Sequence, residues 1–191
     1  MRSLFIISLL MVFLLNADCY AVEKPVASIT SNEGKRLEIT VTYERQQGVA
    51  SNQYAIWIED ASGKITKTLY VTKFTAEGGY NLRPSCTPVW VKKANPKEMT
   101  GEHLDSFTGA TPQSGSHTYT WDFTDSEGAP VPAGEYTFIV EGNLYDTSCV
   151  TFKGKCNIGS AEIKIIGEPT FSSDDPKNKS MLTAVIATYY P

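Results

Sequence analysis

The amino-acid sequence predicts an all-β fold, an antiparallel β-sandwich with one long irregular insertion, on three observations. Apolar and polar residues alternate in many short segments, which is the period of a half-buried strand. Gly, Pro, Asn, Asp and Ser separate these segments at the short intervals found in sandwiches and barrels. Helical patterning is almost absent, with one candidate helix near residues 89–94.

Taken in order, Leu37, Ile39, Val41 and Tyr43 alternate with polar partners and define a strand over 37–43. Strands over 54–58 and 65–74 follow, joined by the turn Asp60-Ala61-Ser62-Gly63. Between 76 and 113 the alternation breaks, and Pro84, Pro88, Pro96 and Pro112 exclude regular central strands. A stretch of this length is expected to lie at one end of the sandwich, hold the short helix and carry function. Strands over 118–123 and 135–140 come next. Asp125-Ser126-Glu127-Gly128 and the Pro-rich stretch 130–134 are expected to link them as a hairpin, placing Trp121 and Tyr136 on paired strands. Segments 144–152, 161–166 and 182–190 complete about eight strands, and 167–180 reads as a surface excursion.

The first residues have a different character. Arg2, the apolar run from Leu4 to Leu15 and the polar stretch ending in Cys19-Tyr20-Ala21 form a secretory signal peptide with cleavage expected after Ala21. Lipidation of Cys19 is disfavoured because Asn16 and Asp18 stand where such signals need small or apolar residues. Residues 22–191 then form a single exported domain, with no other stretch long and apolar enough to span a bilayer. A hydrophobic fraction of 41% against 20% charged residues excludes global disorder. With 17 Lys and Arg against 21 Asp and Glu, a net charge of -4 and the basic residues scattered singly, nothing suggests nucleic-acid binding.

Export makes the cysteines candidates for disulfides. Loss of Cys19 leaves Cys86, Cys149 and Cys156, an odd number. Cys149 and Cys156 flank Val-Thr-Phe-Lys-Gly-Lys, where Lys153-Gly154 suggests a reversal, so a Cys149–Cys156 bridge across a hairpin is expected. The alternatives are a bridge from Cys86 to one of them, or a metal site of Cys86 with His103 or His117, although the paired spacing of a zinc site is missing. His103 and His117 with Ser114, Ser116, Asp105 and Glu102 lack a nucleophile elbow, so no hydrolase is read from them and no catalytic residue is assigned. Trp57, Trp90, Trp121 and the tyrosines read as core and rim packing. Glu59-Asp60 and Asp174-Asp175 read as solvated turns rather than calcium ligands.

The segment from Trp121 to Phe138, with its Trp-Asp strand, acidic Gly turn and Pro-Ala-Gly-Glu-Tyr-Thr-Phe strand, resembles the last hairpin of small immunoglobulin-like domains, including those of the flagellar hook-capping protein. With Tyr54-Ala-Ile-Trp-Ile-Glu-Asp-Ala-Ser-Gly-Lys64, Thr68-Leu69, Trp90 and the closing stretch from Ala184 to Pro191, the mature chain is similar to a bacterial family of predicted periplasmic proteins of unknown function. The resemblance implies an immunoglobulin-like sandwich and genes lying near PepSY-type membrane electron-transfer proteins and flavin transferases. After Glu141 the chain departs from the family pattern: Gly142-Asn143-Leu144-Tyr145 stands in place of an Arg-Glu-His-like element.

Asp105-Ser106-Phe107-Thr108-Gly109-Ala110-Thr111 resembles the acceptor sequence of exported flavoproteins, in which a transferase joins the phosphate of FMN to a Thr hydroxyl. The resemblance implies covalent FMN on Thr111. Gly109 and Ala110 would give the transferase access, Asp105 would bind a metal or orient the transferase, and Thr108 would serve the turn. The function expected is that of an exported redox accessory, carrying FMN or docking to a membrane electron-transfer partner. The alternative is a cofactor-free envelope binding or structural module.

Overall fold

The computed structural model describes residues 34–47, 52–145, 148–174 and 179–191. The leader with its cleavage site, Cys19 and Asp175 lie outside the described residues. Two sheets pack face to face as an all-β sandwich.

The first strand, β1 (Arg36–Tyr43), buries every second residue, as its alternation predicts: Leu37, Ile39, Val41 and Tyr43 point inward. It lies between β5 (Gly115–Trp121) and β10 (Leu182–Tyr190), and β8 (Ile163–Ile166) completes a four-stranded sheet in the order β5-β1-β10-β8. The second sheet is built from β2 (Gln53–Glu59), β3 (Ile65–Thr72), β4 (Thr108–Gly109), β6 (Gly134–Tyr145), β7 (Ser148–Ile158) and β9 (Glu168–Phe171). Its order is β4-β3-β2-β6-β7-β9, antiparallel except for the parallel pair β3 and β4. Leu37, Ile39 and Val185 from the first sheet meet Ile56, Phe138 and Phe152 from the second in one apolar core.

The burial of β2 departs from half-buried alternation, since all seven residues are buried. One face of β2 supplies Tyr54, Ile56 and Ile58 to the sandwich core, and Ala55 and Trp57 enter a second core on the outer side. What covers that outer side is the long insertion. It winds through a π-helical turn (Thr75–Gly79), α1 (Tyr80–Leu82), α2 (Pro88–Ala94), a 3-10 turn (Pro96–Glu98) and α3 (Gly101–Asp105). Ala76, Trp90 and Phe107 from this cap close over Ala55, Trp57, Val71 and Ile139. The helix expected near 89–94 is present as α2. The insertion does not sit at one end of the sandwich but forms a third layer on a sheet face, because the outward-facing indole of Trp57 and its neighbours need an apolar cover.

The Asp60–Gly63 turn links β2 and β3 as expected, with Asp60 Oδ1 accepting from the backbone N–H groups of Ser62 and Lys64 and Gly63 at φ +80°. The second expected hairpin does not form. β5 pairs with β1 and β6 pairs with β2 and β7, so 122–133 crosses from one sheet to the other and Trp121 and Tyr136 lie on unpaired strands. Lys153-Gly154 is not a reversal either: β7 runs straight through it. Gly154 is required for packing, since a Cβ there would lie 2.3 Å from the Phe138 ring. Gly142, in the stretch that departs from the family pattern, has the same role beneath Met181 and Leu182. The structure adds two short strands, β4 inside the insertion and β9 inside the expected surface excursion.

Candidate functional site

Every residue from Phe107 to Ala110 is tied to β3. The Phe107 side chain is buried in the second core while its carbonyl accepts from Val71 N–H at 3.0 Å. Thr108 and Gly109 then pair in parallel with Val71 and Thr72. The Thr108 hydroxyl donates to the Leu104 carbonyl at 2.6 Å, locking the segment to α3, whose first turn is capped by Thr100. Gly109 packs on the ring of Tyr70 so closely that a Cβ would lie 2.5 Å from it. The Tyr70 hydroxyl in turn donates to the Ala110 carbonyl at 2.8 Å. The glycine is thus explained by the Tyr70 ring, a reason the sequence did not suggest.

Anchoring stops there. Ala110 is exposed, Thr111 is half-buried, and among the described residues no hydrogen bond engages the Thr111 hydroxyl. Asp105 is exposed at the end of α3, and no hydrogen bond joins it to Thr111 among the described residues. The chain then crosses through Pro112 and Gln113 to β5 in the other sheet.

Behind this crossing lies a group of aromatic rings that sequence reasoning assigned only to general packing. Tyr70 stands 4.9 Å from Tyr54 and 5.0 Å from Tyr119 between ring centroids, Tyr54 stands 5.4 Å from Tyr43, and Tyr43 stands 6.4 Å from the His117 ring. The Tyr54 and Tyr119 hydroxyls are hydrogen-bonded to each other. Burial pushes all four phenols up, Tyr43 to about 12, so they are protonated at neutral pH. Each tyrosine comes from a different strand, and only the sheet pairing brings them together. His117 Nε2 donates to the Gln113 carbonyl at 2.7 Å, and His103 stacks edge-on against Phe107. Among the described residues no cluster of His, Cys, Asp and Glu could hold a metal ion.

A second polar group is sealed between the cap and the six-stranded sheet. Glu141 is fully buried; its two carboxylate oxygens accept from Val89 N–H at 3.0 Å and Trp90 N–H at 2.9 Å at the start of α2. Burial pushes its carboxyl up, and the two N–H donors hold it back. Arg83 Nη2 donates to Asn143 Oδ1 at 2.8 Å, and Gln53 Oε1 accepts from the hydroxyls of Thr72 and Thr75. Cys149 faces this layer, its thiol 3.8 Å from Glu141 Oε1.

The expected Cys149–Cys156 bridge is corrected by the strand that carries both. Seven residues apart on β7, they lie roughly 20 Å from each other at the rise of an extended chain, against the roughly 6 Å between Cα atoms that a disulfide spans. An odd separation also puts them on opposite faces, and Cys156 is buried in the sandwich core. No disulfide joins the three described cysteines in this structure.

With strands, cap and Tyr-lined crossing in view, comparison with known families finds that the model of a family described as predicted periplasmic protein (DUF2271) matches residues 35–167. The chain belongs to that family. The matched region runs from the start of β1 through the cap to the end of β8, and so includes both the 105–111 segment and the Glu141 layer. No curated protein and no solved structure matches the chain. Among the described residues no helix is long and apolar enough to cross a membrane.

Proposed function

We propose that this protein is a redox accessory, exported by a leader cleaved after Ala21, that carries FMN on the Thr111 hydroxyl and exchanges electrons with a membrane electron-transfer protein. The observation that carries the reading is how the acceptor-like segment is mounted. Backbone and side chains are anchored as far as the Ala110 carbonyl, and the next residue offers a hydroxyl with no hydrogen-bond partner among the described residues. A residue modified by a second enzyme must present its nucleophile without first breaking a hydrogen bond, and Thr111 meets that condition where Thr108 does not.

The residues fit such an attachment. The Thr111 Oγ1–phosphorus bond would form as the pyrophosphate of a flavin dinucleotide breaks. The nucleoside monophosphate then leaves, and the hydroxyl proton passes to a base of the transferase. Ala110 adds only a methyl group beside the acceptor, and exposed Asp105 is available to the transferase or its cation. Bound flavin would supply one- and two-electron transfer. This chain contributes a fixed tether on β4 and neutral aromatic rings behind it.

Coexpression with an exported flavin transferase tests the reading. The mature protein should gain the mass of one FMN less water and keep its yellow absorbance after denaturation. Unlabelled protein from that host would favour a cofactor-free envelope module, a reading supported by the exposed apolar side chains Phe74, Leu82 and Val89 on the cap.

A further inference from the structure

We propose that Cys86 and Cys149 form a disulfide that staples the helical cap to the six-stranded sheet in the exported protein. The bond is independent of any flavin on Thr111.

Residues 83–90 arch over β6, and both ends of the arch are fastened to the residues that flank the Cys149 side chain. At one end Arg83 donates to Asn143, which is the residue directly opposite Cys149 in the β6–β7 ladder. At the other, the N–H groups of Val89 and Trp90 bind Glu141, whose Oε1 also receives the Cys149 thiol. Cys86 lies within the arch, between these two fastenings, and is fully buried. The Cys149 thiol is hydrogen-bonded to Glu141 and Asn143 and lies near enough to the Cys86 thiol for the two to interact electrostatically. Cys156, turned into the sandwich core on the opposite face of β7, is left out. Three thiols therefore resolve into one facing pair and one solitary core residue.

The oxidation proceeds by thiol–disulfide exchange with a protein disulfide of an envelope thiol oxidase. One thiolate of the pair attacks the oxidase disulfide, the second displaces the oxidase from the mixed disulfide, and the two electrons and two protons end on the oxidase dithiol. Burial pushes Cys149 up to about 12 and raises Cys86, so neither is a ready nucleophile in the closed structure. The exchange therefore belongs to folding after export, before the arch closes over β6. Once formed, the bond ties the cap to the sheet and restricts the unfolded chain over the long segment between the two positions.

The test uses the full chain exported to an oxidising compartment, alkylated under denaturing conditions without reductant and then mapped by peptide mass. The expected result is a linked peptide pair containing Cys86 and Cys149, with Cys156 alkylated, and the same pair in Cys156→Ser. Alkylation of both Cys86 and Cys149, or a link from either to Cys156, would overturn the proposal. Thermal unfolding gives an independent readout. Reductant should lower the wild-type Tm by on the order of 10 °C while leaving Cys86→Ser and Cys149→Ser unmoved, and a wild-type Tm indifferent to reductant would count against the bond.

Discussion

Trp121 and Tyr136 meet edge to face with 5.0 Å between ring centroids, although their strands belong to different sheets. Phe123 completes the contact at 4.9 Å from Trp121, and the indole N–H donates to the Thr124 carbonyl at 2.8 Å. The crossover after β5 is thus pinned by an aromatic group that spans the sandwich rather than by a hairpin ladder.

Removing the centre of that group should be costly. Trp121→Ala is expected to lower unfolding free energy by about 3 to 5 kcal/mol, while Glu127→Ala, in the exposed turn, should stay within about 0.5 kcal/mol. A Trp121→Ala and Tyr136→Ala double-mutant cycle in urea should show coupling of about 0.5 to 1.5 kcal/mol, and additive losses would mean that the two rings act separately.

Gly109→Ala forces a methyl group into the Tyr70 ring and should destabilise the protein by about 1 to 3 kcal/mol. The glycine is not demanded by a left-handed backbone, so the loss should shrink when Tyr70 is also truncated. Chemical denaturation of the single and double variants measures this, and an undiminished loss in the double variant would point to another cause.

On the acceptor reading, Thr111→Val removes the only atom able to form the ester and should leave the exported protein unlabelled with its urea midpoint unchanged. Thr108→Val keeps the label but loses the hydrogen bond to Leu104, at about 1 kcal/mol. Label retained in Thr111→Val, seen by intact mass, would place the attachment elsewhere.

The tyrosine group sets an alkaline limit. Each phenol has a folded value raised above the usual 10.0, so the folded state holds its protons more tightly than the unfolded chain. Their contribution is fully present below about pH 10 and is lost as pH rises through the folded values, with Tyr43 at about 12. Ultraviolet titration should show these phenols ionising together with unfolding. Replacing Tyr54 by Phe should weaken the steepness of that step, and smooth ionisation without unfolding would contradict the burial.

Much of this protein follows from its local sequence. The alternation in β1, the Asp60–Gly63 turn, α2 beginning at Pro88, and the restriction of regular strands between the prolines of the insertion are set by neighbours a few residues apart. Side-chain period, proline geometry and turn hydrogen bonds act over that range. The acceptor reading of 105–111 rests on a contiguous pattern of the same short range, whereas the anchoring of that segment on β3 does not.

Tertiary structure decided what depends on partners distant in sequence. A glycine signals either a reversal or a close approach: Gly63 is the first and Gly154, under the Phe138 ring, is the second, and only the packed core distinguishes them. The same holds for which sheet β5 and β6 join, and for the third layer that buries both faces of β2. It also holds for the four tyrosines gathered from four strands, and for the face of β7 that turns Cys149 toward the cap and Cys156 into the core. Strand pairing and burial are settled by long-range complementarity of surfaces, which no window of the chain contains.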